Sequence, residues 1–202
     1  MSPGVVVFDV AGVLLPAGAA VRPLAVELGV EAAELAPAYW AARDDYDRGG
    51  SSIAFWTRVT ASVGRPIGPD GGARLDAIDA AGWTSISAEA EELLAALGRA
   101  GVPLALLSNA PPALAARARA APWSARFGVR LFSCDVGAVK PGAAIYAEAE
   151  RRLGLTGDAI VFFDDRQPNV DAAAGRGWSA TRWTGAADAR EALGDLLRTP
   201  GG

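Results

Sequence analysis

Three short stretches of the chain are apolar at every position and stop on polar residues. They are VVVF at 5–8, ending at Asp9, PLALL at 103–107, ending at Ser108 and Asn109, and AIVFF at 159–163, ending at Asp164 and Asp165. A strand covered on one face alternates, whereas one covered on both faces of a parallel sheet is apolar throughout, so these runs predict buried parallel strands. Shorter strand candidates lie at 129–132 and 179–183. Segment 89–99 reads as a helix, with acids in its first turn, Arg99 near its end and Gly101 as a stop; 145–153 and 170–174 read as further helices. Strand and helix alternation over 1–15 and 88–202 predicts an α/β fold, a Rossmann-like doubly wound parallel sheet. The interval 16–87 differs: it has no convincing strand, and Ala-rich amphipathic segments at 22–28, 31–47, 51–63 and 74–81 are punctuated by glycines. It predicts an α-helical insertion after the first strand. No internal repeat is visible, and the Ala richness extends over the whole chain.

Composition narrows the chemistry. With 202 residues the chain is one ordinary domain plus a small module. It contains no His, which excludes Ser-His-Asp and Cys-His hydrolases and any imidazole metal site. One Cys can form neither an internal disulfide nor a zinc module, so a reducing cytoplasm is the expected location. A formal charge of −4 argues against nucleic acid as a partner. The start of the sequence does not read as a signal peptide, and no run of about 18 uncharged apolar residues predicts a membrane span. Self-association stays open between monomer and homodimer.

In an open α/β sheet, ligands bind at the carboxyl ends of the strands, where all three apolar runs stop on reactive groups. Asp9 is a nucleophile, a metal ligand or a turn cap, and Gly12 after it lets the chain turn. Ser108 and Asn109 suit phosphate oxygens or a cap. Lys140 is the one lysine of the chain, in a composition that otherwise uses Arg; either a compact ammonium is wanted there or it is an ordinary surface lysine. Adjacent carboxylates at Asp164 and Asp165 repel unless a cation or hydrogen bonds compensate, which favours a hard cation, magnesium first; the alternative is an Asx turn with a helix cap. Cys134 lies near Lys140 where a thiolate phosphatase loop requires Arg, so it reads as a packed small side chain. No nucleotide-binding glycine loop is present.

The order Asp, Ser-Asn, Lys-Pro, Asp-Asp resembles the haloacid dehalogenase superfamily. It is carried by FDVAGVLL at 8–15, LLSNA at 106–110, SCDVGAVKPGAAIY at 133–146 and VFFDDRQPNVDAAAGRGW at 161–178. The resemblance covers essentially the whole chain, with 16–87 looking like that superfamily's helical cap. It implies Mg²⁺-dependent hydrolysis of a small phosphorylated metabolite. Asp9 would form an aspartyl-phosphate, Ser108 and Asn109 would hold phosphoryl oxygens, and Lys140 would neutralise charge. Magnesium would lie on Asp9, the backbone carbonyl of Ala11, and Asp164 or Asp165 or both. Trp40, Arg43 and Tyr46, spaced by three on a helix, would meet the leaving group, while at least two of Trp40, Phe55 and Trp56 are expected in the core of the insertion. The chain departs from the pattern at Ala11, where phosphatases of the superfamily carry a general acid and base Asp. A methyl group cannot transfer a proton, so the reading stays open between a substitution that inactivates a phosphatase, a different natural chemistry, and a protein that binds a phosphorylated ligand without turnover.

Overall fold

The first apolar run becomes β1 (Val5–Phe8), the middle strand of a five-stranded parallel sheet ordered β3-β2-β1-β4-β5. The computed structural model describes residues 4–16 and 21–197; the ends of the sequence-predicted segments at 1–3, 17–20 and 198–202 lie outside them. After β1 come α1 (Val21–Leu28), α2 (Ala32–Ala41), α3 (Arg43–Asp47), α4 (Ser52–Ser62) and α5 (Gly71–Ala81). The core resumes with α6 (Ala88–Arg99), β2 (Leu104–Ser108), α7 (Pro112–Ala120), β3 (Val129–Phe132) and α8 (Ala143–Leu153). It closes with β4 (Ile160–Asp164), α9 (Gln167–Ala174), β5 (Ser179–Arg182), α10 (Ala186–Ala192) and α11 (Gly194–Leu197). No helix among the described residues is long and apolar enough to cross a membrane.

Alternation along the strands feeds two cores. Val6, Phe8, Leu104 and Leu106 pack with α6, α7 and α10 on one face; Val5, Val7, Leu107 and Phe162 pack with α8 and α9 on the other. This is the doubly wound arrangement that the strand runs predict. α6 forms as its sequence dictates: Ser87 Oγ accepts the Ala90 N–H at 3.1 Å, Glu89 and Glu91 lie in the first turn and Arg99 in the last.

Register then determines where chemistry appears. Phe8 lies opposite both Leu106 and Phe163, so Asp9, Ser108 and Asp164 emerge together at one edge of the sheet. The chain winds one way from β1 to β3 and the other way from β4 to β5, which opens a crevice at the β1 and β4 ends.

Helices α1–α5 bury an apolar cluster of their own, including Leu24, Leu35, Tyr39, Phe55 and Trp56. One expectation is corrected here: 31–47 is two helices, because α2 ends before Ala42 and α3 begins after it.

Candidate active site

At the carboxyl ends of the central strands, one ammonium lies between two carboxylates. Lys140 Nζ is 3.0 Å from Asp9 Oδ1 and 2.6 Å from Asp164 Oδ2, and it also donates to the Leu107 carbonyl at 2.8 Å. Lys140 is 2% exposed. Burial alone would pull its pKa down, but Asp9 and Asp164 outweigh that and hold it above the ordinary lysine value. A compact ammonium can send its hydrogens to three separate oxygens, which a planar guanidinium cannot do from one atom. The segment carrying Lys140 is held by Asn109, whose amide accepts the Lys140 N–H at 2.8 Å and donates to the Lys140 carbonyl at 3.0 Å. Both ends of that amide therefore grip backbone, which places Asn109 as a clamp on Lys140 before any contact with a ligand.

Asp164 is fully buried and its oxygens are already engaged. Oδ2 accepts from Lys140, while Oδ1 accepts the Arg166 N–H and the Asn169 Nδ2 group, each at 2.9 Å. Asp9 is different. Its Oδ1 is buried and makes no hydrogen bond of good geometry, because Lys140 approaches at the right distance but off line. Burial pushes the Asp9 carboxyl up to about 6 against the pull of Lys140, and Asp164 adds to the push. The Ser108 hydroxyl is also buried without a hydrogen bond of good geometry, yet it is close enough to Asp9 to favour its anion. Asp165 is half-buried, and burial and Asp164 raise its pKa as well. Gly12 makes room for it: its φ is +81°, and a Cβ there would lie 2.5 Å from Asp165 Oδ2.

Asp9, Asp164 and Asp165 bring one carboxylate oxygen each to within 4.8 Å of one another. A buried oxygen on Asp9 that only Lys140 approaches, and two carboxyls, Asp9 and Asp165, whose pKa burial raises, fit a hard divalent cation. They are the donors magnesium prefers.

Opposite these groups, across a cleft of about 440 Å³, stand residues of the helical insertion. Trp40 and Arg43 line it as the sequence suggests, with Trp40 56% exposed. Tyr46 does not. Its ring stacks on Phe55 at 4.4 Å and its hydroxyl donates to Asp76, inside the insertion. The physical reason is helix geometry: each step of three falls about 60° short of a full turn, so Tyr46 is about 120° around from Trp40 and turns to Phe55 and Asp76 instead of the cleft. Of Trp40, Phe55 and Trp56, the last two are core and Trp40 is not. Arg43 is buried with its charge already matched: Nε donates to Asp47 Oδ1 at 2.7 Å and Nη1 to Asp79 Oδ2 at 2.9 Å. Tyr39, Asp44 and Asp47 also line the cleft and were not singled out from sequence. Tyr39, Arg43 and Asp47 are spaced by four, the signal that would have found them. The Cys134 thiol, which burial pushes up to about 11, is no thiolate nucleophile.

The family model described as haloacid dehalogenase-like hydrolase matches residues 3–177, and the chain belongs to that family. No match is found among curated proteins. Among solved structures, a dehalogenase is similar at 22% identity, over 95% of this chain and 97% of that one, with a TM-score of 0.72. The L-2-haloacid dehalogenase from Xanthobacter autotrophicus is similar at 20% identity, over 96% and 83%, with a TM-score of 0.71. A HAD family enzyme from Bacteroides thetaiotaomicron, a magnesium complex, is similar at 17% identity, over 91% and 93%, with a TM-score of 0.67. These identities establish the fold alone. Two of these three neighbours are dehalogenases and the third is described by family; the family model makes the chain a haloacid dehalogenase-like hydrolase.

Proposed function

We propose that the protein is a Mg²⁺-dependent hydrolase of a small phosphate monoester, with Asp9 as nucleophile. The observation that carries this reading is the charge of the cleft. Asp9, Asp44, Asp47 and Asp165 face Arg43, Lys140 and Arg166, with Asp164 and Asp79 directly behind. Arg43 is already matched by Asp47 and Asp79, and Lys140 by Asp9 and Asp164. An anion entering such a site meets net negative charge unless a divalent cation comes with it. Asp9, Asp165, the Ala11 carbonyl and, behind them, Asp164 are the groups that would hold Mg²⁺. When bound, it would neutralise the phosphoryl oxygens and the nucleophile together. The chain's own residues do the rest. Asp9 attacks phosphorus, Lys140 holds its carboxylate in place, Ser108 offers an unpaired hydroxyl to a phosphoryl oxygen, and Trp40 and Trp83 contact the organic group.

A second reading has its own support. Ala11 removes the proton carrier a phosphatase uses, and the dehalogenase neighbours act on carbon–halogen bonds, so Asp9 would attack carbon without needing a metal. Against it, a 2-haloacid carboxylate needs a cation to receive it, and with Arg43 and Lys140 each shared by two carboxylates only Arg166 is left among the described cleft cations. A third reading is a protein that binds a phosphorylated ligand without turnover. The test is phosphate release from a panel of phosphate monoesters with Mg²⁺, beside halide release from 2-chloropropionate without it. Phosphate release that disappears in Asp9→Asn supports the proposal. Halide release alone, or binding of one phosphorylated compound with no release, replaces it.

A further inference from the structure

The cleft carries a group that answers the defect at Ala11, and the inference rests on the phosphoryl-transfer reading above. In an in-line displacement the leaving oxygen departs on the side of phosphorus opposite the nucleophile. Asp9 lies on the sheet side of the cleft, so the leaving oxygen points toward the insertion. Of the insertion's lining groups, Arg43 does not release a proton and the Tyr39 hydroxyl is committed to Asp79, 3.0 Å from each of its oxygens. Asp44 is exposed. Asp47 is 5% exposed, and no described hydrogen bond uses its Oδ2. We propose that Asp47 is the general acid and then the general base of the reaction, acting from the insertion where Ala11 cannot act from the sheet.

Two features of the packing support this role. First, Asp47 is fixed to the core, since Ser133 Oγ donates to its backbone carbonyl at 2.5 Å while accepting the Ala110 N–H at 2.9 Å. Second, one guanidinium serves two buried carboxyls. Asp79 receives Arg43 and also the Tyr39 hydroxyl, whereas Asp47 receives Arg43 alone, so Asp47 is the more readily protonated of the pair. The groups facing Asp47 are Arg43 and Asp44 on its own helix, Tyr39 on α2, Asp79 on α5 and the Cys134 thiol of the core. Burial pushes the Asp47 carboxyl up to about 6, with Arg43 opposing and Asp79 and Asp44 adding, which suits a group that must both give and take a proton near neutrality.

The steps balance. Asp9 forms a bond to phosphorus as the bond to the leaving oxygen breaks, and the proton of Asp47 goes to that oxygen. The Asp47 carboxylate then takes a proton from water as the water oxygen attacks phosphorus. The bond to Asp9 breaks, and inorganic phosphate leaves with Asp9 ionised and Asp47 protonated again.

Leaving-group dependence tests the assignment, because an alkoxide needs a proton to depart and 4-nitrophenolate does not. With Mg²⁺, Asp47→Asn lowers turnover of glycerol phosphate by about 100-fold or more. It still releases 4-nitrophenol from 4-nitrophenyl phosphate as a burst of about one equivalent per enzyme, and adding Ala11→Asp to it restores turnover of both. In the unaltered protein, the ratio of pre-steady-state cleavage of glycerol phosphate to that of 4-nitrophenyl phosphate falls as pH rises through about 6, the ionisation of Asp9 being common to both and cancelling; this reading decides the matter if Asp47→Asn does not fold. Equal turnover of glycerol phosphate by the unaltered protein and folded Asp47→Asn overturns the role of Asp47 and leaves the phosphatase reading standing. So does a silent unaltered protein that Ala11→Asp activates. Silence of both ends the two together.

Discussion

Lys140 shows how one residue can hold a site together. Its ammonium is the shared counterion of Asp9 and Asp164, and Asp164 is fully buried. Removing the charge while keeping the bulk leaves two carboxylates facing each other out of water, and breaking a buried pair in that way costs about 3–5 kcal/mol. Lys140→Met is therefore expected to lose about that much stability at pH near 8, measured by urea unfolding. The loss shrinks near pH 5, because Asp9, whose carboxyl burial pushes up to about 6, takes a proton there and the repulsion is removed. Mg²⁺ recovers part of it, since the cation supplies the missing positive charge to the same oxygens, whereas Na⁺ at equal ionic strength does not. A loss that is small and independent of pH would mean that Asp9 and Asp164 do not rely on this ammonium. Lys140 was visible in the sequence as the lone lysine, but its clamp was not, because the amide that grips it belongs to another strand end, at Asn109.

At the scale of elements, continuous apolar runs made β1, β2 and β4 legible together with the residues at their ends. Parallel strands covered on both faces have no polar positions to blur the signal, and register then brings Asp9, Ser108 and Asp164 to one edge. α7 and α10 were not read, because their sequences carry apolar positions mostly as Ala, which stands on every side of the helix and marks no face. The break at Ala42 was also hidden, and a spacing of three drifts around the helix, which carries Tyr46 away from the cleft. In the cluster of Tyr39, Arg43, Asp47 and Asp79, the first three carry a spacing of four, but Asp79 lay beyond reach, since it comes from α5 and only folding brings it to α3. That cluster gives the insertion its own pH dependence. A carboxyl raised from 3.8 to about 6 by burial binds its proton more tightly folded than unfolded. Its contribution to stability is present below about pH 4 and is lost as pH rises through about 6. A shift of that size corresponds to about 3 kcal/mol. Asp79 moves in the same direction. The melting temperature should accordingly decline between about pH 4.5 and 7, and decline less steeply in Asp47→Asn. Parallel curves for the two proteins would remove Asp47 from the account.

The molecule as a whole is two apolar bodies meeting over one cleft. The sheet has a cluster on each face, and the insertion has a third that draws no residue from the strands. Among the hydrogen bonds across the seam, Ser133 stands out, since its one hydroxyl accepts from Ala110 next to the end of β2 and donates to the carbonyl of Asp47 at the end of α3. Such a tie fixes how far α3 stands from Asp9, while Ala80 of α5 and Trp83 join the insertion to one of the sheet's cores. Ser133→Ala leaves a buried N–H and a buried carbonyl without this partner, a change worth about 1–3 kcal/mol. The consequence depends on whether the insertion can move as a body. If it can, amide hydrogen exchange quickens in α2 and α3 while β1, β2 and β4 remain protected. The cleft then closes less well, KM rises and kcat falls, because substrate binding must now also fix the insertion in place. If it cannot, exchange quickens equally in sheet and insertion, and the three clusters unfold as one. Leu35, Tyr39 and Tyr46 of α2 and α3 pack in the insertion's own cluster and with no strand residue, which favours the first outcome, in which Ser133 is a hinge contact that sets the distance between Asp47 and Asp9.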